Sequence, residues 1–353
     1  MRTSCVWSLA AVLVVCLGTT SPAQDSPQQT PASGEQPVSQ PVPPSSAPAV
    51  MLDKISVTAT KSEERSVSNI PGHVSVIDRQ DIERYQAQDL ADLLRYEPGI
   101  DIVSGPRRIT ERPSIRGLSG TRVLLTVDGA RLNYNTAHGG NLNFVDIESL
   151  ERLEIIRGPA SALYGSSALG GTINMLTKSG SEMLRPGQTV GARARWTFNS
   201  NNQELSEHVS LYGIIGKRFD YIVSYTRHDA SDVETARDTI DNSGFRTNDV
   251  FLKSRYFVTE RDTLSFTTQL FRDTSDIPFA SSDQYASRTQ DDDTDRNLFN
   301  LRYEHHSPGS WLSRITWLGY LHQTDIQEDE KRRAPDHSRT RIKDDLDWDT
   351  WGS

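Results

Sequence analysis

Ten residues near the middle of the chain, LYGSSALGGT, come close to a phosphate-binding loop. Gly165, Gly170 and Thr172 occupy positions that the pattern G-x-x-x-x-G-K-[ST] requires, but Gly171 stands where the lysine belongs. A phosphate loop also joins a strand to a long helix whose N-terminus faces the anion, whereas Gly171 leads directly into the strand-like segment TINML. We therefore interpret these glycines as turn positions and as places where backbones approach closely. The nucleotide-binding alternative is disfavoured.

Two further groups could suggest a metal site, the pair His305 and His306 and the acidic run 291–293. The histidine pair abuts a short turn, whereas the acidic run falls in a predicted long loop, so the two groups are expected to lie far apart. Solvated loop charge is the better interpretation of the acidic run. Since no Ser/His/Asp or paired-carboxylate arrangement is recognisable, we predict that the protein is not an enzyme; a soluble glycine-loop enzyme is the remaining alternative of that class.

The N-terminal 50 residues predict export and a flexible connection. Residues 1–23 have the form of a secretory signal peptide, with the apolar run VWSLAAVLVVCLG followed by SPA, and we expect cleavage after Ala23. Cys5 and Cys16 both lie inside this segment, so the mature chain has no thiol for disulfides or for nucleophilic chemistry. Residues 24–50 are rich in Pro, Gln and Ser and predict a flexible tether.

The region from residue 188 onward predicts a series of antiparallel strands. Its segments are about ten residues long, the length a tilted strand needs to cross a bilayer, and they alternate apolar with polar residues, as Val223 and Tyr225 do with Ser224 and Thr226. Short turns alternate with long polar loops near 231–247, 274–294 and 324–338. This asymmetry is typical of an outer-membrane barrel.

A soluble β-sandwich is the alternative, because alternation alone does not distinguish a lumen from solvent. Five tryptophans could form interfacial girdles and so favour the barrel. They are Trp196, Trp311, Trp317, Trp348 and Trp351.

Residues 51–180 predict a different, mixed domain. The segments HVSVI, RLEIIRG and GTINMLTK predict strands, and QDLADLLRYEPG predicts a short helix that ends at Pro98 and Gly99. The segment RVLLTVDGARL predicts a strand that turns at Asp128 and Gly129, a strong hairpin signal.

Three stretches carry a family resemblance. SIRGLSGTRVLLTVDGARL, LERLEIIRGPASALYGSSALGGTINM and DKISVTAT resemble the plug domain of TonB-dependent outer-membrane receptors and the TonB box before it. The resemblance implies a TonB box at 53–60, a mixed α/β plug domain at 61–180, and the N-terminal part of a transmembrane antiparallel β-barrel at 188–353. A complete barrel of this family has about 22 strands, so the seven or eight predicted here look like a fragment.

The resemblance also implies a mechanism and a location. Such receptors lie in the outer membrane of Gram-negative bacteria, in contact with its lipid, with plug and box facing the periplasm. They are driven from the inner membrane through the C-terminal domain of TonB. The box is extended and β-branched, which suits addition of a strand to that partner's sheet; an ordinary N-terminal strand is the alternative. Its residues are Asp53, Lys54, Ile55, Ser56, Val57, Thr58 and Ala59.

By the same resemblance, Arg157 of the RGP motif pairs with acidic residues inside the barrel and holds the plug, and Glu154 and Arg116 share in this plug–barrel contact. A solvated surface arginine is the alternative for Arg157.

The ligand is expected to contact the segment NYNTAHGGNLNF at 133–144. In the family this region is an outer loop, and His138 matches a histidine of the haem and haemoprotein receptors. A neutral imidazole is a suitable axial ligand for haem iron, with Tyr134, Asn135 and Asn141 as further candidate ligand contacts. A solvated bystander histidine is the alternative.

We therefore expect TonB-dependent transport of an iron-bearing ligand, foremost haem or haem taken from a haemoprotein. Haem or a ferric chelate would be cargo, with no cofactor or other metal permanently bound. A ferric-siderophore or cobalamin receptor is the alternative within the family, and a passive porin or adhesin is the more distant one. The formal charge of −9, without a basic cluster, argues against nucleic acid as a partner.

Overall fold

A computed structural model of the chain describes residues 56–57, 65–66, 73–103, 111–132, 145–278, 287–307, 313–334 and 338–352. These residues belong to one compact unit, Leu52–Ser353. None of the helices in these ranges is long and apolar enough to cross a membrane. The predicted signal peptide, the tether and the segment 133–144 lie outside the described residues.

The N-terminal part contains short helices and two small sheets, here called the N-terminal domain (73–178). Its helices are α1 (Arg79–Tyr85), α2 (Leu90–Leu94) and α3 (Ser161–Tyr164). Before it, β1 (Ser56–Val57) pairs with β2 (Arg65–Ser66). The strands of the domain are β3 (His73–Asp78), β4 (Ile100–Val103), β5 (Arg112–Ile115), β6 (Leu118–Ser119), β7 (Val123–Val127), β8 (Ala130–Arg131), β9 (Leu150–Arg157) and β10 (Gly171–Thr177). Their order is β3-β9-β10-β7-β8 in one sheet and β4-β5-β6 in the other.

Local chemistry explains where the two leading helices begin. Asp78 and Asp81 form a capping box at the start of α1, which the sequence analysis missed. The Asp89 side chain accepts from the backbone N–H of Asp92 at the start of α2. The predicted apolar face of α2 is buried in the domain core, where Leu94 has no exposed surface. The Asp89 cap and the burial of α2 confirm the helix predicted in QDLADLLRYEPG, although α2 is shorter than predicted.

The glycine-rich segment between β9 and β10 has the role expected of it. Gly165 has φ +79°, and Gly171 has φ +149°. A Cβ atom added at Gly171 would lie 2.1 Å from the backbone oxygen of Ile156 on the neighbouring strand. The segment therefore consists of a turn and a close backbone approach, and it leads into a strand rather than a long helix.

Among the described residues, eight antiparallel strands form the second part, here called the large sheet. Its hydrogen-bonded order is β11-β12-β13-β16-β17-β18-β19-β20, with the small hairpin of β14 and β15 between β13 and β16. The strands are β11 (Val190–Asn199), β12 (Glu204–Ile215), β13 (Phe219–Ala230), β14 (Val233–Glu234), β15 (Thr239–Ile240), β16 (Phe245–Phe257), β17 (Asp262–Ile277), β18 (Ser287–His306), β19 (Arg314–Arg333) and β20 (Arg339–Gly352).

The two faces of the large sheet differ as the alternating pattern predicts. Inward side chains such as Ser224 and Thr226 are buried, while outward ones such as Val223 and Tyr225 are exposed. Trp196, Trp317 and Trp351 are among the exposed outward residues. The sheet therefore presents a polar inner face to the N-terminal domain and an apolar outer face with aromatic residues.

Two of the predicted long loops are wrong. β17 continues to residue 277, β18 begins at residue 287, and β19 continues to residue 333, so much of 274–294 and 324–338 is strand. Strand backbone is satisfied by its ladder whatever the side chains are, and opposite charges pair across the strands. Arg272 bonds Asp295 on β18, and Lys331 lies 2.8 Å from Asp291. The acidic run 291–293 therefore lies in a paired strand rather than in a loop.

The large sheet has two distinguishable ends. Its turn end carries the connections at 216–218 and 258–261 and the adjoining ends of β18 and β19, and its extended end carries the long projections of β17, β18 and β19. His305 and His306 lie at the turn end as predicted, and His305 Nδ1 is 2.7 Å from Asp262 Oδ1.

Candidate functional site

Open clefts lie between the N-terminal domain and the large sheet, among them one at each end of the sheet. The cleft at the extended end has Asp146, Glu204 and His228 among its lining residues. The cleft at the turn end includes Asp128 and Lys253. Leu298 of β18 lies in the hydrophobic core of the N-terminal domain, and many of the other described contacts between the two parts are polar. Four groups of these polar contacts stand out.

The first contact is the hairpin turn between β7 and β8. Asp128 has φ 47° and Gly129 has φ 87°, the left-handed pair that a type I′ turn requires. Thr177 donates to Asp128 from its backbone N–H to Oδ1 at 3.0 Å and from its hydroxyl to Oδ2 at 2.5 Å. Lys253 Nζ on β16 donates to Asp128 Oδ2 at 3.2 Å, to Thr177 O at 3.0 Å and to Thr177 Oγ1 at 2.9 Å. The turn is thus held against the sheet by a largely buried cation.

Neighbouring strands complete this contact. Thr267 on β17 donates to Asp128 Oδ2 at 3.5 Å, and Asn300 on β18 donates to the Asp128 backbone oxygen at 3.3 Å. Burial alone would raise the pKa of Asp128, but Lys253 and the two hydrogen bonds from Thr177 outweigh it and hold the pKa below its ordinary value. Asp128 is therefore a buried anion. We call Asp128, Thr177, Lys253, Thr267 and Asn300 the turn seat.

The second contact surrounds Glu148, in the short 3-10 helix Ile147–Ser149. Arg195 on β11 donates to Glu148 Oε1, and Arg193 lies 3.7 Å from Glu148 Oε2. Lys178 Nζ donates to the Glu148 backbone oxygen at 2.7 Å. Burial lowers the pKa of Lys178 and Glu148 opposes this effect. Two inward arginines of the sheet thus reach one carboxylate of the N-terminal domain.

The third contact lies at the extended end. His228 on β13 places Nε2 at 3.4 Å from Asp146 Oδ2 and Nδ1 at 3.0 Å from Glu204 Oε1 on β12. Burial would raise the pKa of Asp146, but the hydrogen bond and charge of His228 and the backbone N–H of Glu148 lower it to about 2.

The fourth contact is the junction between the two parts. Asp220 on β13 accepts from the backbone N–H groups of Gly180 at 2.8 Å and Ser181 at 3.2 Å, and Arg255 Nη2 donates to it at 2.6 Å. A Cβ atom at Gly180 would lie 2.0 Å from the backbone oxygen of Tyr221. The chain therefore leaves the N-terminal domain along a path that only glycine fits.

The residues predicted to join plug and barrel have their described contacts inside the N-terminal domain. Arg157 Nη2 is 2.6 Å from Glu97 Oε2, and Arg152 Nε is 3.0 Å from Oε1 of the fully buried Glu154. Arg116 has φ 51° and lies near Gly158, where an added Cβ would be 3.8 Å from its guanidinium. Their contact with barrel residues stays a prediction.

The predicted ligand residues Tyr134, His138, Asn135 and Asn141 lie outside the described residues. Of the predicted TonB box, the structure describes Ser56 and Val57, in an antiparallel pair with β2. Within the described ranges, no group of three or more His, Cys, Asp or Glu side chains could hold a metal ion.

Sequence reasoning missed the contacts that join the two parts. Lys253, Asp220 and His228 each lie on an alternating strand, where an inward polar residue looks like any other lumen residue. Their partners are between 40 and 125 positions away in the sequence. The Asp-Gly pair at Asp128 could have indicated one of these contacts. It predicted a hairpin turn, but the contact of that turn with the large sheet was not predicted.

Parts of the chain are similar to known proteins. The family model of the TonB-dependent receptor plug domain matches residues 66–172. The chain is 34% identical over 166 residues to the heme/hemopexin utilization protein C of Haemophilus influenzae, a match that covers 47% of this chain and 22% of that protein. It is 40% identical over 128 residues to the vitamin B12 transporter BtuB of Vibrio vulnificus, covering 36% of this chain and 21% of that one.

The fold has solved counterparts. The FrpB iron transporter from Neisseria meningitidis is similar with a TM-score of 0.64 and 18% identity, over 78% of this chain and 48% of that one. The chain thus spans about half of that structure, and its match covers about a fifth of the curated relatives. Residues 66–172 therefore match the plug domain of the TonB-dependent receptors, and the fold of the described chain, with the strands of the large sheet, is similar to that of the FrpB iron transporter.

Proposed function

We propose that the full-length protein carries an iron-bearing ligand across the outer membrane of a Gram-negative bacterium by TonB-dependent active transport. The observation that carries this proposal is the polar contact between plug and sheet, beside an apolar outer face suited to lipid. A plug held by hydrogen bonds and ion pairs, with water in open clefts, separates more readily than one sealed by an apolar core. Such a plug suits a receptor that must open and close. Its relatives are transport receptors, and we expect no enzymatic activity.

The energy enters at the TonB box, residues 53–59, with box and plug facing the periplasm. Extended residues can add a strand to the sheet of the TonB C-terminal domain. Support comes from Ser56 and Val57, which already have strand geometry. Arg157, Glu154 and Arg116 belong to this proposal as plug–barrel contacts that the pull disturbs.

The test replaces Val57 by proline in the full-length receptor. Val57→Pro removes a backbone donor from the added strand, so ligand uptake should be lost while ligand binding at the cell surface persists. Val50→Pro is the matched control, because it makes the same change in the tether outside the box, and it should leave uptake intact. Unchanged uptake by Val57→Pro would contradict the proposal.

Haem is the ligand that we propose, bound with His138 as an axial ligand and with Tyr134, Asn135 and Asn141 beside it. The support is the resemblance of the segment around His138 to haem receptors and the similarity to a haem/hemopexin utilization protein. Free haem or haem delivered by a haemoprotein would both reach this histidine.

The test is His138→Ala in the full-length receptor. The variant should bind haem more weakly and with a changed absorption spectrum, because it loses an iron ligand, while its heat-modifiable gel mobility stays that of the parent. His306→Ala, which changes an exposed histidine at the turn end, is the control. A cobalamin receptor is the second candidate, favoured by the 40% identity to a vitamin B12 transporter. Unchanged haem binding by His138→Ala, with uptake of cobalamin or a ferric siderophore by the parent, would reject haem and keep transport.

A further inference from the structure

One histidine at the extended end lies between carboxylates of the plug and of the large sheet. The His228 side chain is 15% exposed, and Asp146 and Glu204 are more deeply buried. Its Nε2 faces Asp146 of the plug at 3.4 Å, and its Nδ1 faces Glu204 at 3.0 Å and the Ser206 hydroxyl at 2.9 Å. His228 thus bridges two parts of the receptor that must move relative to each other if the plug is to open.

Counting protons distinguishes the two charge states of this bridge. Glu204 Oε1 also faces the Ser206 hydroxyl at 3.1 Å. A neutral imidazole has one N–H, and the shorter contact, with Glu204 at 3.0 Å, favours its proton on Nδ1, so that a lone pair of Nε2 faces Asp146. If the proton is on Nε2 instead, the Asp146 contact keeps its hydrogen but loses the charge of the imidazolium, and the single Ser206 proton must serve either Nδ1 or Glu204. A lone pair of Nδ1 then faces an oxygen of Glu204. The imidazolium has two N–H groups and satisfies Asp146 and Glu204 together, which leaves the Ser206 proton for Glu204.

We propose that His228 is a positioning residue that ties the plug to the large sheet through Asp146 most firmly while its imidazole is protonated. Asp146 caps the 3-10 helix Ile147–Ser149 and lies eight positions after His138 in the sequence. The tie therefore holds the part of the plug that follows the proposed ligand loop. In this respect the inference deepens the proposed function and rests on it.

Other charged groups surround the bridge from each neighbouring element. Within the plug, Glu148 is engaged by Arg195. The inward face of β12 contributes His208, and that of β16 contributes Asp249, whose charge interacts with Asp146 and His228. The cleft beside the bridge is also lined by Asp89, Asp92, Arg95 and Glu111.

The direction of the pH dependence follows from these charges. Because the pKa of Asp146 is lowered to about 2, its carboxylate stays charged over the range in which histidine titrates. The tie is complete while His228 is protonated and is weakened as the pH rises and the imidazole loses its second proton. The plug segment 145–150 should therefore be held more firmly at mildly acidic than at alkaline pH.

The test measures hydrogen exchange of the segment 145–150 in the full-length receptor in detergent, from about pH 5 to about pH 8.5, corrected for intrinsic exchange. Protection in the parent should fall by roughly tenfold across this range, the effect of losing one hydrogen bond to a charged group. His228→Gln, which cannot be protonated, should give a flat profile. His208→Gln is the matched control, because His208 is a neighbouring inward histidine bonded to Thr226 at 2.9 Å, and it should keep the parent's profile.

A second variant keeps the test decisive if His228→Gln does not fold. Glu204→Gln removes one carboxylate beside the imidazole, so the midpoint of the profile should move to lower pH by about one unit. A flat profile in the parent, a parental profile in His228→Gln, or an unmoved midpoint in Glu204→Gln would overturn the proposal. Because ligand, TonB and energy are all absent from this measurement, its failure is separate from a failure of the transport proposal.

Discussion

Replacing Lys253 by methionine should loosen the plug hairpin more than any exposed lysine can. Lys253 Nζ makes three donor contacts in the turn seat, at 2.9, 3.0 and 3.2 Å. Its side chain is 12% exposed and that of Asp128 is 8% exposed, so solvent screens the pair weakly. Removing one partner of a buried ion pair costs about 3–5 kcal/mol, because the other charge stays buried.

The lower end of that range applies here. After the substitution, Asp128 still accepts two hydrogen bonds from Thr177, so its carboxylate remains partly stabilised. We therefore expect a cost near 3 kcal/mol, which corresponds to roughly a hundredfold increase in local opening. Asp128→Asn in the Lys253→Met background should recover part of this cost. Asparagine tolerates the positive φ of the turn, so the second change removes the unpaired charge alone.

The assay is hydrogen exchange of the hairpin 123–131 in the full-length receptor, for both single variants and the double variant. Lys343→Met is the control, since Lys343 is 66% exposed and its pair with Asp329 is of the surface kind that contributes about 0–1 kcal/mol. Two results would refute this prediction. One is an increase of less than about threefold in hydrogen exchange of the hairpin in Lys253→Met, and the other is a double-mutant cycle without coupling between Lys253 and Asp128.

Three further predictions concern the same contacts. The anions Asp128 and Asp146 have lowered pKa values, so their stabilisation is present above the ordinary aspartate pKa of about 4 and should be lost as the pH falls below it, for Asp146 towards about 2. Protection of the plug amides that does not change over this pH range, after correction for intrinsic exchange, would contradict this prediction. Gly180→Ala should give less heat-modifiable receptor in the membrane, because its Cβ meets the Tyr221 oxygen at 2.0 Å; parental amounts would refute the tight junction. Because the outward face is apolar, the full-length receptor should require detergent for extraction, and recovery in salt washes alone would be inconsistent with a lipid-facing sheet.

Periodicity predicted most of the fold because each segment's pattern is local. The alternation of Val223, Ser224, Tyr225 and Thr226 sets which side chains point inward, and the Asp128-Gly129 pair sets the hairpin, with no need to know any distant residue. The loop predictions failed because the pairing of one strand with another is not a local property of the sequence. Polar residues such as those at 291–293 form strands when charges on adjacent strands pair with them, and a single sequence does not say which strand is adjacent.

The candidate site could be predicted only in outline. The resemblance pointed to Arg157 as a residue that holds the plug, whereas the described partner of Arg157 is Glu97 in the same domain. The contacts between plug and sheet instead involve Lys253, Asp220 and His228, whose types are ordinary for inward strand positions. Recognising them requires the three-dimensional pairing of residues that are far apart in sequence.

Energy dependence is the most direct test of the central claim, which is that a plug held by polar contacts is opened by a pull on the TonB box. The measurement compares haem binding and haem uptake by cells that carry the full-length receptor, with and without an uncoupler of the inner-membrane proton gradient. We predict that the uncoupler abolishes uptake and leaves surface binding unchanged. Uptake that continues at the same rate in uncoupled cells would contradict the account and indicate a passive pore.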